Sequence, residues 1–315
     1  MGHMEYTEIY TIYLIESIMV MKQTTLNLGG KLFSLENAAV MGIVNVTPDS
    51  FYAGSRVGEE TKFRNRIKQI ISEGGTMVDI GAYSSRPGAA DISPAEEMER
   101  LRPGLKILRD EFPGLPVSVD TFRADVAAAC VEEYNVAMIN DISGGQIDPK
   151  MFETVARLNV PYILMHMRGT PETMQQFTEY KDIAVDVLDY FIQKTTRLRE
   201  LGVKDIVLDP GYGFSKTTLQ NYELMARMDE ITRILPLPLL VGISRKSMIY
   251  KLFDSTPQEA LNGTTALNTY SLLHGADILR VHDVREAVEC VRIVGLLKKG
   301  EQLKDPSHYK IGNNH

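Results

Sequence analysis

From Ala38 to Asp283 the chain repeats one pattern eight times: a short apolar run rich in β-branched residues ends in polar side chains, and a longer segment of helical periodicity follows. The runs are AAVMGIVNV, TMVDIGAYSS, LPVSVDT, VAMINDI, VPYILMHM, DIVLDPG, LPLLVGISRK and ADILRVHD. The spacing of apolar positions predicts helices over 59–72, 94–110, 123–133, 148–158, 180–201, 218–228 and 257–273, and a last one over 284–297. Strands that are apolar on both faces belong to a parallel sheet covered by helices. Eight such units without a composition break or linker predict an α/β chain folded as a closed (β/α)8 TIM barrel. The competing open, doubly wound sheet carries a glycine-rich fingerprint in its first strand-to-helix turn, and MGIVNVTPDSF has no G-x-G-x-x-G.

Ahead of the first unit, TLNLGGKLFSL (25–35) alternates around Gly29-Gly30, which predicts a short N-terminal β-hairpin suited to covering the bottom of the barrel. Residues 1–22 are read as a tag remnant (MGHM) and an N-terminal extension, 23–300 as the barrel and 301–315 as a C-terminal tail. The apolar stretch Ile9–Met21 is interrupted by Glu16 and preceded by no Lys or Arg, so it matches neither a membrane span nor a signal peptide.

Composition narrows the function classes. Apolar content of 44% and charged content of 24% describe an ordinary globular core, and a net charge of −7 argues against a large nucleic-acid surface. A local basic cleft for an anionic substrate stays compatible with that charge. Cys130 and Cys290, the two cysteines, fall inside helical segments and read as buried thiols in a reducing cytoplasm.

Barrel active sites form where strands end. Here those ends carry Asn45, Ser84-Ser85-Arg86, Asp120, Asn140, His166, Asp209, Ser244-Arg245-Lys246, and Arg280 with His282. Any one of them has a plain reading as a helix cap, Asp120 and Ser244 above all. A polar group at all eight ends is harder to explain that way. Asp120 and Asp209 close apolar strands, where a carboxylate is costly unless something pairs with it. A heterocycle with adjacent N–H donors, such as an aminopyrimidinone, would satisfy both oxygens of one carboxylate, and so would an arginine fork. Asn140 adds a donor and an acceptor. Arg280 and His282 alternate along one strand and can point the same way. With an oxygen from Asn45 on a divalent ion they would make a diphosphate site, while a surface pair with Asp283 is the plain alternative. Two loops combine Gly, Pro and polar residues: Thr47-Pro48-Asp49-Ser50-Phe51, and Ser84-Ser85-Arg86-Pro87-Gly88. Either can be a simple turn, but Phe51 in a polar loop is suited to closing over an aromatic substrate.

MGIVNVTPDSF (41–51) and VDIGAYSSRPGA (78–89) resemble the two signatures of the dihydropteroate synthases, and SVDT, INDISGG, MHMRGTP, LDPGYGF, GISRKSM and RVHDV are similar in order and spacing. The resemblance runs from about Leu26 to the last helix. It implies an enzyme that condenses 6-hydroxymethyl-7,8-dihydropterin diphosphate with para-aminobenzoate, giving 7,8-dihydropteroate and diphosphate for folate biosynthesis. Asp120, Asn140, Met167, Asp209, Phe214 and Lys246 then match the pterin-binding residues. Asn45 matches the Mg²⁺ ligand, Arg280 and His282 the diphosphate-binding pair, and Ser85 and Arg86 the loop residues between diphosphate and aminobenzoate. Phe51, Pro87 and Ser247 match positions around the aminobenzoate, and Asp49 a first-loop residue that orders when both substrates are bound. The catalytic set the resemblance implies is Asp49, Phe51, Arg86, Lys246, Arg280 and His282. It also implies a cytoplasmic homodimer for which sulfonamides are competitive ligands, with no nucleic-acid or membrane partner. Ala82-Tyr83 stand where the family often has Gly-Glu, Ser85 where Thr is common, and Ala53 where an acidic residue is frequent. These departures touch loop conformation and not the reaction class. Two other readings share the barrel: a methyltetrahydrofolate-corrinoid methyltransferase, which has no need of the Arg280/His282 pair, and a non-catalytic pterin-binding paralogue, which would lose Asp49, Phe51 or Arg86. Arg280→Ala is expected to cripple diphosphate binding and leave the fold intact.

Overall fold

The computed structural model of the chain describes residues 22–46, 56–84 and 91–302. Strands β1 (Thr25–Leu28) and β2 (Lys31–Ser34) form an antiparallel hairpin in which Leu28 pairs with Lys31. Gly29 and Gly30 make its turn at φ +60 and +85, a conformation that glycine adopts without a side-chain clash. Strands β3 (Ala39–Asn45), β4 (Met77–Gly81), β5 (Val117–Asp120), β6 (Met138–Asp141), β7 (Tyr162–Met165), β8 (Ile206–Asp209), β9 (Leu240–Val241) and β10 (Ile278–Val281) are parallel, in the order β8-β7-β6-β5-β4-β3-β10-β9. A bridge between Leu208 and Leu239, with the Leu208 N–H donating to Pro238 O at 2.8 Å, links the two ends of that order. This is the predicted barrel.

The helices are α1 (Arg56–Ser72), α2 (Pro94–Glu111), α3 (Ala124–Tyr134), α4 (Met151–Leu158), α5 (Ile183–Glu200), α6 (Thr218–Ala226), α7 (Met228–Ile234), α8 (Ser247–Tyr250), α9 (Leu261–Leu273) and α10 (Val284–Gln302). Local chemistry sets their ends. The Ser93 hydroxyl accepts the Glu96 N–H ahead of α2, Asp182 accepts two N–H groups ahead of α5, and Thr217 with Gln220 forms a capping box on α6. Asn135 and Asn159 end α3 and α4 in the left-handed region.

Several predicted spans shift, among them the helices read over 59–72, 180–201, 257–273 and 284–297, which run over 56–72, 183–200, 261–273 and 284–302. The helix read over 218–228 is two, because Arg227 leaves helical geometry (φ −111, ψ 15) and sends its guanidinium to Glu230 and Asp182. The helix read over 148–158 starts later, at Met151, since Asp148 instead accepts the N–H groups of Ala124 and Lys150. The seventh strand keeps only two residues of the run LPLLVGISRK.

Two apolar layers enclose the barrel wall. Outward residues such as Val40, Val78 and Val119 pack under the helices, and inward ones build the floor. Helix α1 lies so close to β3 that a Cβ on Gly42 would stand 2.8 Å from Ile70 Cδ1. The floor joins Met41, Met77, Met138, Ile163, Val207, Leu240 and Ile278 to Leu26 and Leu28 of the hairpin, which closes the bottom as the sequence predicted. Both cysteines are buried free thiols. Among the described residues no helix is long and apolar enough to cross a membrane.

Candidate active site

Above the apolar floor, the inward positions turn polar. Period-two alternation along β4 sends Met77 to the floor and Asp79 one layer higher, in register with Ser118 of β5. Asp79 is fully buried, and its Oδ2 accepts from Asn140 Nδ2 at 3.0 Å and Arg280 Nε at 2.6 Å. The same guanidinium donates through Nη2 to Asp120 Oδ2 at 2.8 Å. Asp120 and Asn140 therefore meet at one centre with Arg280, which comes from a strand 160 residues further along the chain than Asp120. Burial pushes the Asp120 carboxyl well above the usual carboxylate range, with Arg280 opposing and Asp79 adding to the rise. Burial alone would lower the Arg280 pKa, but Asp79 and Asp120 overcome it and hold the guanidinium firmly charged.

Asp209, at the end of β8, is 5% exposed and accepts the Gly211 N–H at 2.8 Å. Burial raises its pKa, and Lys246 is the strongest opposing charge. Lys246 Nζ donates to Tyr212 O at 2.5 Å and lies 4.6 Å from the centroid of the Phe214 ring. Burial lowers this ammonium to about 8, against the pull of Asp209. Phe214 and Met167 join Phe122, Ile142, Met165 and Met174 in an apolar cluster at the mouth. The mouth thus combines a patch of acids and cations with an apolar wall, the composition of a site for a flat polar ring. Asp79 Oδ1 and Asn140 Oδ1 are buried acceptors with no protein partner, as a ring with N–H donors requires.

On the β10 side, His282 Nδ1 lies 3.1 Å from Ser244 Oγ, which also accepts the His282 N–H. Burial, reinforced by Arg245 and Arg280, brings the imidazole down to about 4, so it is neutral at ordinary pH. Arg66 of α1 donates to His282 O at 2.6 Å, and Arg245 pairs with Asp283. Asn45 stands exposed at the end of β3 and, with Phe63 and Arg66, lines a pocket of about 230 Å³. Ser247 opens α8, only four residues long and too short to offer much of a helix dipole to an anion. Asp49, Phe51, Ser85, Arg86 and Pro87 lie outside the described residues.

The capping readings do not hold. Arg123 occupies the N-cap of α3, while Asp120 and Ser244 turn inward to Arg280 and His282. Arg280 is also tied into the site, since its Nε and Nη2 already donate to two carboxylates. Its removal would strand the fully buried Asp79 without its cation, so the expectation that Arg280→Ala leaves the fold intact is corrected. Sequence reasoning missed Asp79, whose signal was an acid inside the apolar run TMVDIG. It also placed His166 at the rim, whereas the residue is 1% exposed and its Nδ1 lies 3.0 Å from Lys216 Nζ.

The model of the pterin binding enzyme family matches residues 41–282. The chain is 41% identical over 261 residues to a dihydropteroate synthase of Synechocystis sp., covering 82% of this chain and 89% of that one. It is 39% identical over 267 residues to the dihydropteroate synthase of Escherichia coli K12, covering 84% and 93%. Among solved structures, a Yersinia pestis dihydropteroate synthase in a sulfonamide drug complex superposes with a TM-score of 0.81 at 38% identity, covering 87% of this chain and 99% of that one. A Xanthomonas albilineans dihydropteroate synthase with 4-aminobenzoic acid gives a TM-score of 0.79 at 33% identity, covering 87% and 98%. With its barrel, its mouth and its similarity all in agreement along most of its length, the chain belongs to the dihydropteroate synthases, transferases of the pterin-binding enzyme family.

Proposed function

We propose that the acid-lined mouth holds the pterin ring and that the β10 side holds the diphosphate leaving group. Asp120, Asn140, Asp209 and Lys246 would meet the ring's polar edge, with Asp79 beneath them and Met167 and Phe214 against its faces. Arg280, His282 and Asn45 would meet the diphosphate, with Ser85 and Arg86 contributing from their loop. Ser247, Phe51, Pro87 and Arg86 would flank para-aminobenzoate, and Asp49 would act with Phe51 from the first loop. Sulfonamides, bound by the Yersinia pestis relative, would compete for the aminobenzoate subsite.

The observation that carries this reading is the Asp79–Arg280–Asp120 junction, a cation shared between two carboxylates beside unpartnered acceptors. In the reaction the C–O bond at the pterin methylene breaks, and the arylamine nitrogen bonds to that carbon and loses a proton. Three carboxylates (Asp79, Asp120, Asp209) against two cations (Arg280, Lys246) leave the mouth electronegative when all are ionised, which favours positive charge developing on the ring. This is electrostatic preorganisation, with no covalent intermediate. Neutral His282 offers the leaving group a hydrogen bond rather than a charge, and Arg280 supplies the cation.

For Mg²⁺ the donor chemistry fits a substrate-dependent site. Among the described residues no group of three or more His, Cys, Asp or Glu could hold a metal, and Asn45 offers a single neutral oxygen. That suits an ion held mainly by water and phosphate oxygens, where it would offset charge on the diphosphate.

We further propose a homodimer through α9 and α10. Ile293, Leu296 and Leu297, spaced as one stripe on α10, are each more than half exposed, and Leu273 at the end of α9 is 46% exposed.

The test is diphosphate release from the pterin diphosphate with and without para-aminobenzoate, in the parent and in Arg280→Ala. Release should require para-aminobenzoate and fall by about a hundredfold or more in the variant, the scale of losing one preorganised charge-stabilising donor. The variant should also melt earlier, because breaking a buried ion pair costs about 3–5 kcal/mol. Turnover within a few fold of the parent would overturn the leaving-group assignment.

A further inference from the structure

Lys216 is a buried amine to which the proposed reaction gives no role. It is 4% exposed, and its hydrogen bonds run to backbone carbonyls and one ring nitrogen. Nζ donates to Gly211 O at 3.0 Å and Phe214 O at 3.1 Å, and lies 3.0 Å from His166 Nδ1. Burial pushes its pKa well down, with Asp209 pulling the other way. An apolar side chain would fill the same space without that desolvation cost, so packing alone does not account for a lysine here.

The turn that Lys216 grips is unusual in its backbone. Gly211, Gly213 and Ser215 all have positive φ (+66, +84 and +46). The turn is pressed against the end of β7 so closely that a Cβ on Gly211 would fall 2.1 Å from His166 O. Between and beside the two carbonyls that Lys216 holds lie three features of the mouth. The Gly211 N–H fixes Asp209, the Tyr212 carbonyl holds Lys246, and the Phe214 ring faces the same ammonium. A side chain that pins Gly211 O and Phe214 O therefore sets the position of all three.

We propose that Lys216 is a positioning residue for the pterin subsite: its bonds to the 211 and 214 carbonyls and to His166 set the 209–216 turn so that Asp209, Lys246 and Phe214 are in place before the ring arrives. This rests on the assignment of those three residues to the pterin ring.

The experiment measures KM for each substrate separately in Lys216→Ala, in Lys216→Met, which keeps the volume of the stem without the donor, and in Asp209→Asn. Thermal melts identify which variants are folded. In a folded Lys216 variant, KM for the pterin diphosphate should rise about tenfold or more, as expected when buried acceptors lose their donor, while KM for para-aminobenzoate stays near the parent value. Added n-propylamine, which replaces the deleted atoms of Lys216→Ala, should restore the pterin KM, and n-propanol should not. Equal rises in both KM values, no rise in either, or failure of both Lys216 variants to fold would assign the lysine to general stability and overturn the proposal. If Asp209→Asn raises the pterin KM and a folded Lys216 variant does not, the positioning role alone falls. If Asp209→Asn leaves it unchanged, the assignment of the ring site falls, and the proposal with it.

Discussion

Lys246 is charged only because the site makes it worthwhile. Burial has brought its ammonium down to about 8, so the cation is present below that pH and is lost as the pH rises through it. If the charge helps to hold the pterin, kcat/KM for the pterin diphosphate should fall by about tenfold per pH unit beyond that point. Folding stability responds in the opposite direction. Between about 8 and the ordinary lysine value of 10.5 the unfolded chain binds a proton that the folded chain has released, so this group makes stability rise with pH. Loss of activity in that window would therefore not be unfolding driven by Lys246. A pH profile of kcat/KM checks this, and Lys246→Arg, whose guanidinium keeps its proton, should shift the alkaline limb upward. A limb that stays at the same pH in the arginine variant would assign the titration to another group. At this scale the sequence was legible where a polar residue ended an apolar run, as with Asp120, Asn140 and Asp209. Asp79 escaped because it lies within its run. Lys216 escaped because a lysine in a polar turn looks solvated until the turn is seen folded over it.

The hairpin shows how an element can be legible in both place and purpose. Gly29-Gly30 between two β-prone runs marked the turn, and the position of the hairpin ahead of the first unit suited it to covering the bottom of the barrel. The structure adds the anchor: Asp205, just before β8, accepts from Gln23 Nε2 at 2.6 Å and from the Asn27 N–H at 3.0 Å. Leu26 is fully buried in the floor, separated from the mouth by the layer that contains Asp79. Leu26→Ala should therefore cost about 2–5 kcal/mol of stability while leaving kcat near the parent value. Denaturant titration together with steady-state kinetics at a temperature where the variant is folded would check both. A fall in kcat matching the loss of stability would mean that the floor and the mouth do not act independently. Other element boundaries were less legible, for identifiable reasons. LPLLVG is apolar throughout, so nothing in it marks a strand of two residues. The break at Arg227 depends on ion pairs to Asp182 and Glu230, the first of which is 45 residues away in sequence.

For the whole molecule, the eightfold repeat was sufficient to predict the barrel, because each unit leaves a strand to be covered and supplies the helix that covers it. How copies of the barrel associate depends on surface that the repeat does not constrain. The net charge of −7 makes two copies repel at long range, so any stable dimer must draw its attraction from contact surface. The apolar stripe of Ile293, Leu296 and Leu297 is the candidate, and Lys298 ties it to α9 by donating to Leu272 O at 2.8 Å. Two consequences follow from these opposing terms. Dimerisation should tighten as salt rises, since screening at about 0.15 M ionic strength already shortens the range of the repulsion to about 8 Å. Ile293→Glu with Leu297→Glu should give a monomer by sedimentation equilibrium, because the pair places two charges in the contact and adds to the like charge of each copy. Both positions face solvent in the single chain, so the melting temperature of the isolated barrel should change little. A double variant that still sediments as a dimer would move the interface elsewhere, and a parent protein that is monomeric at every salt concentration would end the proposal.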